Sequence, residues 1–143
     1  MNKEISFVVV ASSQQARIFE KVDGKNNFNL ISEVTAELDS NHEKLGRTYN
    51  SVGSLRHAIE PRTDRREVER HKFATKISET LVDLEKAKPF HKLILVASHK
   101  MLPEIEQALD DHLTQKVTQK LAKDLGKFTD AEVQEYIELI SST

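Results

Sequence analysis

The sequence predicts an α/β fold: a single three-layer α/β/α domain around a mixed sheet of about five strands. Two continuous apolar runs rich in β-branched residues, Ile5 to Ala11 and Leu93 to Ala97, are typical of strands covered on both faces. A long helical pattern lies between them, and this order predicts a parallel crossover. With 143 residues, the chain suits one domain over 1–143.

The first third of the chain predicts a three-stranded meander. Arg17 to Val22 alternates between apolar and polar residues and closely follows the first run, which favours a hairpin. The turn residues Asp-Gly-Lys-Asn-Asn at 23–27 then lead into a third strand from about Asn29 to Ala36.

Helical signals dominate the remainder. Asp64 with Glu67 resembles a capping box, and apolar residues recur at helical spacing, so a helix is predicted from about Arg65 to Ala87. A shorter helix is predicted from Leu102 to about Asp111.

The C-terminal segment carries one ambiguous pattern and one clear one. Leu113 to Leu121 fits either a helix face or alternating strand positions, and we predict strand for part of it. Thr129 and Glu132 form a capping box before a last amphipathic helix.

A long functional loop is predicted at about 37–64, where no periodicity is visible. The Arg- and His-rich segment overlaps this loop, runs from His42 to Lys72 and includes His57 and His71. Guanidinium groups present forked donors that suit phosphate, so this segment could follow a nucleic-acid backbone or bind another anion. Six of the seven arginines lie here, namely Arg47, Arg56, Arg62, Arg65, Arg66 and Arg70.

Other interpretations of the polar residues stay open. Acidic residues such as Glu67 and Glu69 interleave with the later arginines, so the start of the long helix could be a solvated, ion-paired surface. His57, Glu60 and His71 match no known metal-ligand spacing, and we expect no metal and no cofactor. No motif predicts a catalytic residue, although four polar residues follow apolar strands, namely Ser12, Ser13, Ser98 and His99.

Composition restricts the classes of function. The chain has no cysteine, which excludes disulfides, thiolate catalysis and Cys-based metal sites. The formal net charge of -2 gives no overall positive field, so any binding to nucleic acid must be local. No apolar run is long enough to span a bilayer, and the N-terminus is a poor signal peptide, so we expect a cytoplasmic protein without membrane insertion.

Several blocks together carry a family resemblance over essentially the whole chain. They are Phe7-Val-Val-Val-Ala11, Ala16-Arg17-Ile-Phe-Glu20, Arg47-Thr-Tyr-Asn-Ser51, Arg56-His-Ala-Ile-Glu-Pro61 and Phe73-Ala74. The chain resembles the bacterial family of proteins required for attachment to host cells. That family is in turn similar to the central domain of the eukaryotic peptide-chain release factor and its Pelota relatives. The resemblance implies a ribonuclease H-like, release-factor central-domain-like architecture.

The resemblance also suggests where function lies. Release factors carry a Gly-Gly-Gln tripeptide in the corresponding loop, whereas this chain has Ser51-Val-Gly-Ser-Leu55, so peptidyl-tRNA hydrolysis by that route is unsupported. Asp-Gly of nearer relatives is replaced by Ser12-Ser13, and an Asp by Asn50, which weakens catalytic carboxylate proposals. The predicted ligand-binding residues are Arg47, Ser51, Gly53, Arg56, His57, Glu60, Arg62 and Asp64.

Three functions are therefore considered. The first is a non-catalytic module that binds RNA or a ribosome-associated partner through the Arg/His-rich loop. The second is a factor that promotes bacterial attachment to host cells, directly or indirectly, with a host-cell or bacterial protein partner. The third is a hydrolase using His57 with Glu60, or a nuclease, although the first three strands offer few carboxylates for metal.

Overall fold

The computed structural model describes residues 4–22, 28–36 and 62–141. Within them, five strands form one mixed sheet in the order β3-β2-β1-β4-β5. β2 pairs antiparallel with β1 and with β3, whereas β4 pairs parallel with β1 and with β5. The predicted fold class and the parallel crossover are confirmed. The strands are β1 (Ile5–Ala11), β2 (Gln15–Val22), β3 (Phe28–Thr35), β4 (Lys92–Ala97) and β5 (Val117–Ala122).

Helices cover both faces of this sheet. On one face, α1 and α2 pack over the strands through residues such as Ile77 and Ile105. On the other face, α4 packs through Val133 and Ile137. No helix among the described residues is both long and apolar enough to cross a membrane. The helices are α1 (Arg62–Ala87), α2 (Met101–Ala108), α3 (Asp111–Lys116) and α4 (Asp130–Ser141).

β1 occupies the centre of the sheet, which explains its continuous apolar sequence. Phe7 and Val9 point into the cluster under α1, whereas Val8 and Val10 point into the cluster under α4. Alternate residues of a strand face opposite sides of its sheet, so a strand covered on both sides needs apolar residues at every position.

α1 begins three residues earlier than predicted, at Arg62 instead of Arg65. The interpretation of Asp64 as its capping residue is therefore wrong, because Asp64 lies inside the first turn. Pro61 directly precedes the helix in sequence, and the fixed φ of proline suits a helix start. Residues 62–64 of the predicted loop are consequently helical.

The ambiguous segment contains both structures. Asp110 caps α3 by accepting a 2.8 Å hydrogen bond from the backbone N of Leu113, and the chain then enters β5 at Val117. The predicted helix to Asp111 ends earlier, at Ala108. The strand prediction is confirmed for 117–122.

The capping box of α4 is confirmed. The backbone N of Thr129 donates to Glu132 Oε1 at 2.9 Å, and the backbone N of Glu132 donates to Thr129 Oγ1 at 3.2 Å. Two amide donors that have no partner within the helix are thereby satisfied.

Candidate functional site

The predicted ligand-binding residues lie mostly outside the described part of the chain. This holds for Arg47, Ser51, Gly53, Arg56, His57 and Glu60, so the hydrolase interpretation of His57 with Glu60 stays a prediction. Arg62 and Asp64 belong to the first turn of α1. The described portion of the arginine-rich segment is therefore the start of α1, from Arg62 to Lys72.

The start of α1 presents cationic side chains to solvent. Arg65, Arg66 and Lys72 are exposed, and Arg70 is half-buried. His71 is exposed as well, with its Nδ1 3.5 Å from Glu104 Oε1 at the beginning of α2. The side chain of His71 therefore lies beside the first turn of α2.

Arg65, Arg66 and Arg70 have no acidic partner in the described structure. Glu67 and Glu69 stand three or four residues from one or another of them, a spacing that permits ion pairs on a helix. Even so, neither acid pairs with any of these three arginines, and Glu69 is engaged in an interaction of its own. The ion-paired surface considered from the sequence is not observed at these positions.

Arg70 has an unusual environment. Its Nε has almost no solvent contact and no hydrogen-bond partner in the described structure. A buried N–H without an acceptor costs roughly 1–3 kcal/mol, and such groups are rare in native proteins. Arg70 therefore carries one buried donor that the described structure leaves without an acceptor.

Ser12, Ser13, Ser98 and His99 do lie at the carboxyl ends of the parallel strands, as predicted. Ser12 Oγ is engaged locally, because it accepts from the backbone N of Gln14 and of Gln15 at 3.3 Å in both cases. Ser98 Oγ and His99 share no hydrogen bond in the described structure. This edge therefore shows the turn geometry of a hairpin and no assembled Ser-His pair.

The segment after β5 packs closely against the β1–β2 turn. A Cβ on Gly126 would lie 3.3 Å from Ser12 Cβ and 3.1 Å from Asp124 Oδ1, which is tighter than nearly all real contacts. Asp124 Oδ1 also accepts from the backbone N of Gly126 at 2.9 Å. A residue without a side chain is thus favoured here, and the Asp124 carboxylate is used in holding the loop.

Arg17 is a structural residue that the sequence alone did not single out. Its side chain is 8% exposed, and its guanidinium is paired with Asp130 Oδ1 at 2.8 Å. It also donates to the carbonyl oxygens of Phe128 and Leu125, at 2.9 Å each. The available signal was its position in β2 between Ala16 and Ile18, where an arginine can be buried only if its donors find acceptors.

A second ionic cluster joins α1 to α3 and was also missed. Glu85 Oε2 accepts from His112 Nε2 at 2.8 Å and from Lys116 Nζ, which also donates to the carbonyl of Phe90 at 2.6 Å. Burial raises the pKa of Glu85, but the hydrogen bonds from Lys116 and His112 outweigh it and hold that pKa below its ordinary value. Its residues are far apart in sequence, so no local motif marks it.

Two further features bear on chemistry. No group of three or more His, Asp or Glu side chains able to hold a metal occurs among the described residues. A polar groove of about 370 Å³ lies between β3 and α1 and is lined by Ser32, Glu33, Val34, Thr35, Lys76 and Thr80. Lys76 Nζ crosses it to the carbonyl oxygen of Thr35 at 3.1 Å.

Fold and surface together define a small α/β protein with an arginine-bearing helix start beyond its sheet. The chain belongs to the family described as "Protein required for attachment to host cells", whose model matches residues 7–137. No protein of curated function matches it.

Three solved structures match the chain at low identity and with TM-scores below 0.5. An archaeal translation termination factor is 13% identical with a TM-score of 0.45, over 96% of this chain and 38% of that one. A structure titled "Archaeal protein" is 14% identical with a TM-score of 0.49, over 96% and 38% of the two chains. A PilM-PilN type IV pilus biogenesis complex is 12% identical with a TM-score of 0.43, over 92% and 41%. The chain thus spans 38% of the length of the first two.

Proposed function

We propose that this family member is a non-catalytic binding module that engages RNA phosphates through its arginine-rich segment, residues 42–72. The observation that carries the proposal is the separation of the two cationic residue types. The chain has fourteen lysines and seven arginines, and between positions 47 and 70 there are six arginines and no lysine. Lysine serves solubility equally well, whereas the planar guanidinium fork matches phosphate oxygens. Recognition explains this separation better than solubility does.

The contacts of the other cations support the same interpretation. In the described chain, Lys88 pairs with Glu20 at 2.8 Å, Lys92 with Glu4 at 3.2 Å and Lys120 with Glu106 at 2.7 Å. The described arginine side chains at the start of α1 have no such partners although acids stand nearby. Their positive charge is therefore not neutralised locally and is available to an anionic ligand.

The overall charge favours a local mode of binding. Because the net charge is -2, attraction to RNA comes from the segment and not from the whole molecule. Binding of this kind depends steeply on salt, since each neutralised phosphate releases counterions. RNA bases exposed in loops could additionally stack on the aromatic and imidazole side chains that the segment contains, Tyr49 and His57.

The test measures binding of the full chain to a fluorescein-labelled RNA hairpin and to ribosomes. One variant replaces Arg47, Arg56 and Arg62 by glutamine. The matched control replaces three exposed lysines outside the segment by glutamine, Lys86, Lys100 and Lys127, and so changes the net charge equally.

We expect the arginine variant to bind RNA much more weakly than the unaltered chain. Its plot of log affinity against log salt should also be flatter, by about one unit of slope for each phosphate that the variant no longer neutralises. The lysine control keeps both properties. Negligible binding by the unaltered chain, or equal losses in both variants, would refute RNA binding by this segment.

The family description favours one second function, a role in attachment to host cells. A direct role requires the protein at the bacterial surface. Fractionation of native cells followed by protease treatment of intact cells measures this, and a protein found entirely in the cytosol excludes direct adhesion.

A further inference from the structure

The inner face of α1 continues past the core as an arginine stripe. Phe73, Ile77 and Leu81 are buried against the sheet and α2. Arg66 and Arg70 precede them at the same helical spacing, so at about 100° per residue all five lie within an arc of about 80°. The face that is apolar over the sheet is therefore cationic at the start of the helix.

This stripe lies beyond the carboxyl end of the sheet. From residue 65 onward, the first buried residue of α1 is Phe73, so Arg70 and Arg66 lie about one and two turns outside the core. His71, next to Arg70, is 3.5 Å from Glu104 in the first turns of α2. α2 itself begins just after β4, where the backbone N of Ser98 donates to the carbonyl of Ala11 at 3.1 Å. The stripe thus lies beside the start of α2, beyond the carboxyl end of the sheet.

The unpaired charges of the stripe indicate an anionic ligand. The Nε of Arg70 is buried without an acceptor, although a guanidinium donor normally has one when it is removed from water. Arg66 and Arg70 are also four residues apart, so their like charges repel along the helix. A bound phosphate would offset this repulsion, because its oxygens accept from the terminal nitrogens of both guanidinium groups.

Arg65 provides an internal contrast. It is exposed and carries the same charge, but it lies about 120° around the helix from the middle of the stripe. Glu67 stands at one margin of the inner face, and Lys72 lies on the outer side with Arg65. Proximity in sequence alone would make Arg65 and Arg66 equivalent, whereas helix geometry separates them.

We propose that Arg66 and Arg70 form a phosphate-binding face beyond the carboxyl end of the sheet, beside the start of α2, and that Arg65 lies outside it. This inference rests on the proposed function, because the phosphates it names are those of the RNA backbone. The pair acts as a clamp on one phosphate or on two successive ones, through the Nη donors of the two guanidinium groups.

The experiment compares Arg65→Gln, Arg66→Gln and Arg70→Gln in the full chain. All three change the charge by the same amount within two turns of one helix. Binding of the labelled RNA hairpin is measured by anisotropy at several salt concentrations. Inorganic pyrophosphate is titrated separately against the ¹⁵N-labelled protein while the arginine Nε–Hε resonances, assigned from the same variants, are followed. Arg70→Lys serves as a second variant if Arg70→Gln fails to fold, as judged from its thermal midpoint.

We expect Arg66→Gln and Arg70→Gln to weaken RNA binding about tenfold each, and Arg65→Gln to weaken it about twofold or less. Pyrophosphate should move the Arg70 resonance to saturation and leave that of Arg65 almost unchanged. Arg70→Lys, which keeps the charge but loses the guanidinium fork, should retain the salt dependence and still bind more weakly.

The outcomes separate the two proposals. Equal losses of RNA affinity in all three variants would refute a phosphate-binding inner face but would leave RNA binding by the segment supported. No RNA binding, together with a saturating shift of Arg70 by pyrophosphate, would overturn the RNA function and support the phosphate face. No RNA binding and no selective shift would overturn both.

Discussion

Replacing Arg17 by methionine tests whether one buried guanidinium holds the segment between β5 and α4 onto the sheet. The side chain donates to Leu125 O, Phe128 O and Asp130 Oδ1 over 2.8–2.9 Å, and it is 8% exposed. Methionine fills a similar volume but donates no hydrogen bond. The segment would keep its apolar contact through Leu125, which is fully buried, and would lose its polar anchors.

The expected cost is about 3–5 kcal/mol in the free energy of unfolding. Hydrogen bonds from a charged donor contribute about 1.5–3 kcal/mol each, and removing one partner of a buried polar network strands the remaining acceptors. The apolar contacts of methionine offset part of this loss in the free energy of unfolding. Asp130 is 49% exposed, so Asp130→Asn should cost only about 0.5–1 kcal/mol.

Urea unfolding followed by circular dichroism measures both variants against the unaltered chain. The slope of free energy against urea should stay constant if the folded and unfolded states keep their exposed areas. Arg17→Met within about 1 kcal/mol of the unaltered chain would refute the reasoning. Equal costs for Arg17→Met and Asp130→Asn would show that only the ion pair matters and that the two carbonyl acceptors do not.

Two further predictions concern the cluster between α1 and α3. Because the pKa of Glu85 is lowered in the folded state, its contribution to stability is fully present above the unfolded pKa of about 4.3 and is lost as pH falls through the folded pKa. The unaltered chain should therefore be more stable than Glu85→Gln at pH 7, and urea unfolding at successively lower pH should show this difference shrinking. A difference that stays constant with pH would contradict the prediction. Phe90→Ala removes a ring that stacks on Phe7 with centroids 4.2 Å apart and that receives a cation–π contact from Lys116. Thermal and urea unfolding should show that the free energy of unfolding falls by about 3–5 kcal/mol. A decrease under about 1.5 kcal/mol would mean that the surrounding side chains collapse into the space left by the ring.

Much of the fold was accessible from the sequence because its strongest signals are local. Ile5–Ala11 is apolar at nearly every position since both of its faces are covered, and Thr129 with Glu132 forms a cap within one turn. The start of α1 was predicted less well, because an acid pair three residues apart resembles a capping box even inside a helix. Backbone geometry, and not residue type, decides whether such a pair caps a helix or lies inside it.

The candidate site, too, was predictable from the sequence only in part. The clustering of arginines is a property of the sequence, and it led directly to the segment from His42 to Lys72. That Arg66 and Arg70 share a helix face follows already from the predicted helix, whereas the structure adds residues 62–64 to its first turn. That Arg66 and Arg70 have no acidic partner among the described residues is visible only in three dimensions.

Sequence alone determined the type of most strands and helices, the family resemblance and the segregation of arginine from lysine, since each depends on residue identity over short spacings. Tertiary structure decided which polar groups meet. It placed Arg17 under the segment before α4, brought Glu85 to Lys116 across 31 positions, and left Arg70 Nε buried without an acceptor in the described part of the chain. These arrangements join or separate residues remote in sequence, and they arise only when packing fixes the helices against the sheet.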